Sequence, residues 1–74
     1  MTTEERIAGH VRQFIEDFDL ERRNPYADLM AIVDKAVVEA ALKRAGGNQS
    51  KAAAFLGIHR NTLRTRCRAL GVRP

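Results

Sequence analysis

Residues 47–71 read GNQSKAAAFLGIHRNTLRTRCRALG, and this stretch decides the fold. A helix-turn-helix needs two short helices that cross steeply through a tight turn. Asn48 is a cap for a first helix over 49–56, and Gly57 tolerates the positive φ that the turn requires. Ala53 is small where the two helices must approach. Leu56, Ile58, Leu63 and Leu70 are spaced to lock a second helix, over 60–70, onto the first, and Gly71 ends it. The outward face of that second helix carries Arg60, Asn61, Arg64, Thr65 and Arg68. A polar, basic face of this kind is what a helix entering the major groove of DNA presents.

Charge separates this stretch from the rest. Residues 1–47 hold seven Lys/Arg against nine Asp/Glu, a net of −2; residues 48–74 hold six Lys/Arg and no acid, a net of +6. So local an imbalance speaks about partners rather than fold. The bland alternatives are a solvated basic tail or an ordinary helical hairpin, but a hairpin normally intersperses acids with bases.

Upstream, two further helices are expected. Thr2 and Glu5 fit a capping box, followed by Ile7, Val11, Phe14, Ile15 and Phe18 on one helical stripe. This helix should end near Leu20, with Glu21–Arg23 as a polar link. Asn24 followed by Pro25 reads as an N-cap side chain and a first helical residue with φ preset. A long helix then runs to about Ala45, with Gly46-Gly47 ending it. Tyr26, Leu29, Met30, Val33, Val37, Ala40 and Ala41 form one wide stripe, while Ile32, Val38 and Leu42 lie off it. A helix apolar on several faces packs on more than one side, so this one is expected to touch both the first helix and the C-terminal unit. Loops of two to four residues suit so short a chain.

A chain of 74 residues makes one domain at most, and a core of that size is marginal by itself. One cysteine excludes an internal disulfide, and no Cys/His spacing suits zinc. Regular helix packing or oligomerisation is left as the source of stability. The apolar surface of Ile7, Val11, Phe14, Phe18, Met30, Val33 and Val37 is more than one small subunit covers, so these residues are expected at a homodimer interface. No run approaches the ~18 apolar residues of a membrane span, and no signal segment precedes the first helix. A cytoplasmic protein follows, and the lone Cys67 fits a reducing compartment. Four residues after Leu63, Cys67 reads as a small core residue rather than a reactive thiol. His10 lies on a polar flank. His59 is either a donor to a phosphate or base, or a poor substitute N-cap. Neither histidine has a nucleophile or metal partner by spacing, and the carboxylates sit on amphipathic surfaces, so no catalysis, metal, cofactor or small-molecule ligand is indicated.

Gly47-Asn48-Gln49-Ser50-Lys51-Ala52-Ala53, Leu56-Gly57-Ile58 and Arg60-Asn61-Thr62-Leu63-Arg64 together resemble the C-terminal helix-turn-helix of the Fis family. The same unit closes the nitrogen-regulatory enhancer-binding activators. The likeness is tight over 46–72 and looser over 4–45. It implies an all-α subunit of four helices: an N-terminal pair, within residues 1–47, that builds an intertwined homodimer, then a helix-turn-helix over 48–74. It also implies a nucleoid protein that binds and bends double-stranded DNA with loose sequence preference. Position by position, Asn48, Ser50, Lys51, Thr62 and Arg66 match family positions on the DNA backbone, and Arg60 matches an arginine that reads guanine. The family has Asn where this chain has His59 and Lys where it has Thr65, so the likeness does not extend to base preference beside those residues. The family's mobile β-arms have no counterpart ahead of a helix that starts by about Thr3.

Two other readings stand beside this one. The N-terminal amphipathic helix would also suit a helical protein-interaction module, against which the acid-free C-terminal segment argues. Within the DNA-binding class, the detached DNA-binding domain of a larger activator is the alternative, and Met1 with an immediate capping box leans toward a complete small protein.

Overall fold

The computed structural model describes residues 1–73, which form four helices and no strand: α1 (Thr3–Asp17), α2 (Pro25–Arg44), α3 (Gln49–Leu56) and α4 (Arg60–Leu70). The all-α, four-helix reading holds. The chain divides into two compact units, Met1–Met30 and a second from Ala31 onward.

In the first unit the capping box forms in full. Glu5 N–H donates to Thr2 Oγ1 and Thr2 N–H to Glu5 Oε1, both at 3.1 Å. Hydrogen bonding to the Thr2 backbone N–H, and next to its side chain, lowers the Glu5 carboxyl pKa from its ordinary value. α1 ends at Asp17, three residues earlier than expected, and Phe18 already has extended backbone (φ −73°, ψ 138°). The local charges account for this. The last turn has no basic residue, and Asp17 and Asp19 oppose the negative end of the helix dipole. The Asp19 side chain also accepts the Glu21 N–H at 2.9 Å, offering the backbone a turn in place of another helical bond. Phe18 still meets Phe14, with ring centroids 5.5 Å apart, and the Arg22 guanidinium lies 5.2 Å from its ring centre. The link to α2 therefore spans residues 18–24, longer than the expected three.

Asn24 opens α2 in a way the sequence did not suggest. Its φ is +66°, a left-handed conformation that asparagine tolerates, not the β-region geometry in which an N-cap side chain reaches back. Its carbonyl closes the first turn, accepting from Asp28 N–H at 3.1 Å.

The core lies in the second unit. Val38, Ala41 and Leu42 of α2 are buried with Ala52, Ala53, Leu63 and Cys67, and Ala45, Leu56, Leu70 and Val72 pack against them. The off-stripe residues Val38 and Leu42 thus face the C-terminal helices, together with Ala41 from the end of the stripe. Of the expected stripe of α2, Ala41 is buried in this core and Leu29 is partly buried, whereas Tyr26, Met30, Val33 and Val37 stay exposed within one chain, as does the off-stripe Ile32. Cys67 is buried with a free thiol, as its spacing suggested.

Three helix ends close alike. Gly47 N–H reaches Leu42 O at 2.9 Å, Ile58 N–H reaches Ala53 O at 3.0 Å, and Val72 N–H reaches Cys67 O at 2.9 Å. Each bond spans six residues and needs a left-handed residue just before its donor. At the turn this is Gly57, with φ +76°. The closure leaves three residues, 57–59, between α3 and α4, enough for the steep crossing of a helix-turn-helix.

Candidate nucleic-acid interface

α4 has two sides with opposite chemistry. Leu63 is fully buried, Cys67 nearly so and Leu70 half-buried, all on one side of the helix. The helical repeat then places Asn61, Arg64, Thr65 and Arg68 together away from that side, while Arg60, seven residues before Cys67, lies at its edge on the first turn of the helix; all five are exposed. The Thr65 hydroxyl donates back to Asn61 O at 2.9 Å, so part of its hydrogen-bonding capacity is used within the helix. His59 precedes this face in extended conformation (φ −71°, ψ 146°) and makes no side-chain cap hydrogen bond. Its exposed imidazole is therefore not committed to the helix end.

α3 contributes its N-terminus. Asn48 Oδ1 accepts the Lys51 N–H at 3.0 Å, which fixes the cap and leaves the Asn48 amide NH2 free to donate outward. The first N–H groups of a helix have no partner within it, so those of Gln49 and Ser50 lack a helical acceptor beside the exposed Lys51. Backbone donors with a cation beside them form an anion site.

Thr62 and Arg66 are set apart from the open face. They lie on the flank of α4 that looks towards α2, and Arg66 Nη1 donates to Asp34 Oδ2 at 2.5 Å. Sequence reasoning placed Arg66 with the other basic groups and missed Asp34. The signal was present: Asp34 stands four residues before the core residue Val38 and seven before Ala41. An acid on the core-facing side of a helix must find a cation from whatever packs there. Phe55 was also passed over; it is exposed, and the Arg44 guanidinium sits 5.3 Å from its ring centre. Among the described residues no group of three or more His, Cys, Asp or Glu is placed to hold a metal ion, and no helix is long and apolar enough to cross a membrane.

A family model described as "Bacterial regulatory protein, Fis family" matches residues 29–70, the span of most of α2 with α3 and α4. The DNA-binding transcriptional regulator NtrC of Rhizobium meliloti is 35% identical over 74 residues, covering 97% of this chain but 15% of that protein. A putative Fis-like DNA-binding protein of Xylella fastidiosa (strain Temecula1) is 35% identical over 69 residues, covering 92% of this chain and 77% of that one. Another, from Neisseria meningitidis serogroup B, is 38% identical over 63 residues, covering 78% of this chain and 80% of that one. No solved structure gives a significant match.

Proposed function

Because the chain belongs to the Fis family of bacterial regulatory proteins, we propose that it works as a homodimer that binds and bends double-stranded DNA, a regulator rather than an enzyme. The observation that carries this reading is the outward face of α4: Arg60, Arg64 and Arg68 stand exposed together, in a segment without a single acid. A solvated structural helix has no need of such a face, and a polyanion does.

The roles divide by chemistry. Arg60, at the first position of α4, reads a guanine edge with two donors, worth roughly 1–3 kcal/mol of discrimination. Asn48, Ser50, Lys51, Thr62 and Arg66 hold phosphates, which fixes register without reading sequence. His59, Asn61, Arg64, Thr65 and Arg68 complete the surface facing the groove and its flanking phosphates. Residues 1–47 dimerise the protein, and residues 48–74 bind DNA, in the cytoplasm at the nucleoid. By likeness to the family, the two recognition helices of the dimer lie closer than one turn of straight B-DNA, about 34 Å. The duplex must then curve and narrow its central minor groove, which costs least at A·T pairs.

The test is a binding titration at several salt concentrations on duplexes that differ in one guanine per half-site and in the uncontacted centre. Affinity should fall steeply with salt, AT-rich centres should bind more tightly and migrate as bent DNA, and Arg60→Ala should erase the preference for that guanine at a cost of roughly 1–3 kcal/mol. Binding that ignores salt would reject the reading; equal affinity for all centres with unbent mobility would reject the bending part alone.

The match to NtrC over so small a share of its length supports a second arrangement, in which this unit is the DNA-binding end of a larger activator. The length of the native reading frame decides between the two.

A further inference from the structure

Arg66 is engaged before any DNA arrives. Its Nη1 donates to Asp34 Oδ2 at 2.5 Å, joining α4 to α2 across 32 positions of sequence. This is the only ion pair among the described residues; Arg60, Arg64 and Arg68 on the open face of the same helix have no carboxylate partner. Residues 48–74 contain no acid, so Asp34 is a charge that the upstream helix lends to the basic unit. The pair is within reach of a ligand: the two side chains are 53% and 37% exposed. They border a shallow cleft together with Thr62, Ile58 and Val37, and Thr62 is itself a matched backbone-contact position.

We propose that Asp34 competes with the DNA phosphate for Arg66 and thereby sets the strength of the protein's sequence-independent grip. The inference rests on the DNA-binding reading above. A guanidinium held through one Nη keeps other donors, so the pair does not block a phosphate sterically. The opposition is electrostatic. A phosphate within hydrogen-bond reach of Arg66 also comes close to the Asp34 carboxylate, and like charges repel most where water is partly excluded. If the carboxylate swings aside, a charge-assisted bond is lost; if it stays, it repels the phosphate. Either way DNA gains less from Arg66 than from an arginine without a partner. Arg60 has no such opponent, so the base-reading arginine acts at full strength while a backbone-holding one is restrained.

The experiment is a double-mutant cycle on the whole chain, with Asp34→Asn, Arg66→Ala and the double variant titrated against a random-sequence duplex at several salt concentrations. Asp34→Asn should tighten binding roughly two- to five-fold, the worth of an exposed ion pair, and steepen the logarithmic salt slope by up to about one unit. In the Arg66→Ala background the same substitution should have little effect. Equal tightening in both backgrounds would mean a general charge effect, and weaker binding by Asp34→Asn would mean that Asp34 positions Arg66; either result overturns the proposal. Circular dichroism checks that the variants fold. Should Asp34→Asn not fold, the carboxyl carbon resonance of Asp34 in the unmodified protein supplies the readout. It should move as duplex is added; a resonance that stays fixed while α4 amides shift overturns the proposal. An unmodified protein that does not bind the duplex refutes the DNA-binding reading itself, whereas salt-dependent binding without any Asp34 effect refutes only this inference.

Discussion

Val37→Asp should split the proposed dimer, unfold it in the same step, and lower DNA affinity by about 100-fold or more. Val37 is 43% exposed, Val33 38% and Met30 44%. These residues recur every three or four positions along α2, so they lie on one face of it. Val38 and Leu42, which are buried against the C-terminal helices, lie beside that face, and only Ala41 carries the stripe itself into the core. No residue of α1 is fully buried either. Seven buried side chains among the described residues, with this much aliphatic surface in water, are little burial for a chain of 74 residues, which motivates the proposed dimer. In the proposed dimer a second copy would cover the surface, and folding and association would become one event. A carboxylate at the centre of that contact would be buried without a partner, which costs more than the dimer gains there. The loss in DNA binding comes from valency: two linked half-sites bind about 10²–10⁴ more tightly than one. Sedimentation equilibrium, circular dichroism and a DNA titration on the same sample would follow the three losses together. A stable, folded monomer of the unmodified protein at micromolar concentration would defeat the argument.

What the sequence revealed best were features that bonds between near neighbours dictate. The Thr2–Glu5 box, the Asn48 cap and the left-handed glycines at 46–47, 57 and 71 all appear where their residue types place them. A cap or a positive φ is settled within a few residues, so the local chain is enough. The opposite sides of α4 were legible for the same reason, since one helical period sorts Leu63 and Leu70 from Asn61, Arg64, Thr65 and Arg68. Three features were harder, each because two local preferences compete or a distant partner decides. Phe18 continues the stripe of α1, but the acids at 17 and 19 and the Asp19 side-chain bond end the helix first. Asn24 before a proline suits both a cap and a left-handed turn, and the chain uses the second. For α2, apolar on several faces, periodicity alone does not say which face meets α3 and α4. The Asp34–Arg66 pair is the clearest case of all, because only the packing of α4 on α2 brings an acid and a base 32 positions apart into contact.

Leu63→Ala should be the most costly single truncation in the C-terminal unit, removing about 2–5 kcal/mol of stability. Leu63 is the largest side chain that is fully buried. It extends from α4 into a cluster whose other members on α3 are Ala52 and Ala53. Those neighbours are too short to move into the space its side chain would leave, so the cavity persists, and both the lost transfer energy and the cavity term apply. Small domains have only a few kcal/mol in reserve, and for this size each kcal/mol lowers the midpoint by about 4–8 °C. A fall of at least ~10 °C is therefore expected, measured at fixed protein concentration because the fold is proposed to be dimeric. Ile58→Ala is the internal comparison: Ile58 is 37% exposed, and its truncation should cost well under half as much. The two kinds of variant should also separate on DNA. Leu63 touches no proposed contact, so saturating duplex, which binds only the folded state, should restore much of the lost midpoint in Leu63→Ala. Arg60→Ala should leave the midpoint of the free protein nearly unchanged and forfeit that rescue. If Leu63→Ala cost less than ~1 kcal/mol, the helix-turn-helix would not be held by this core.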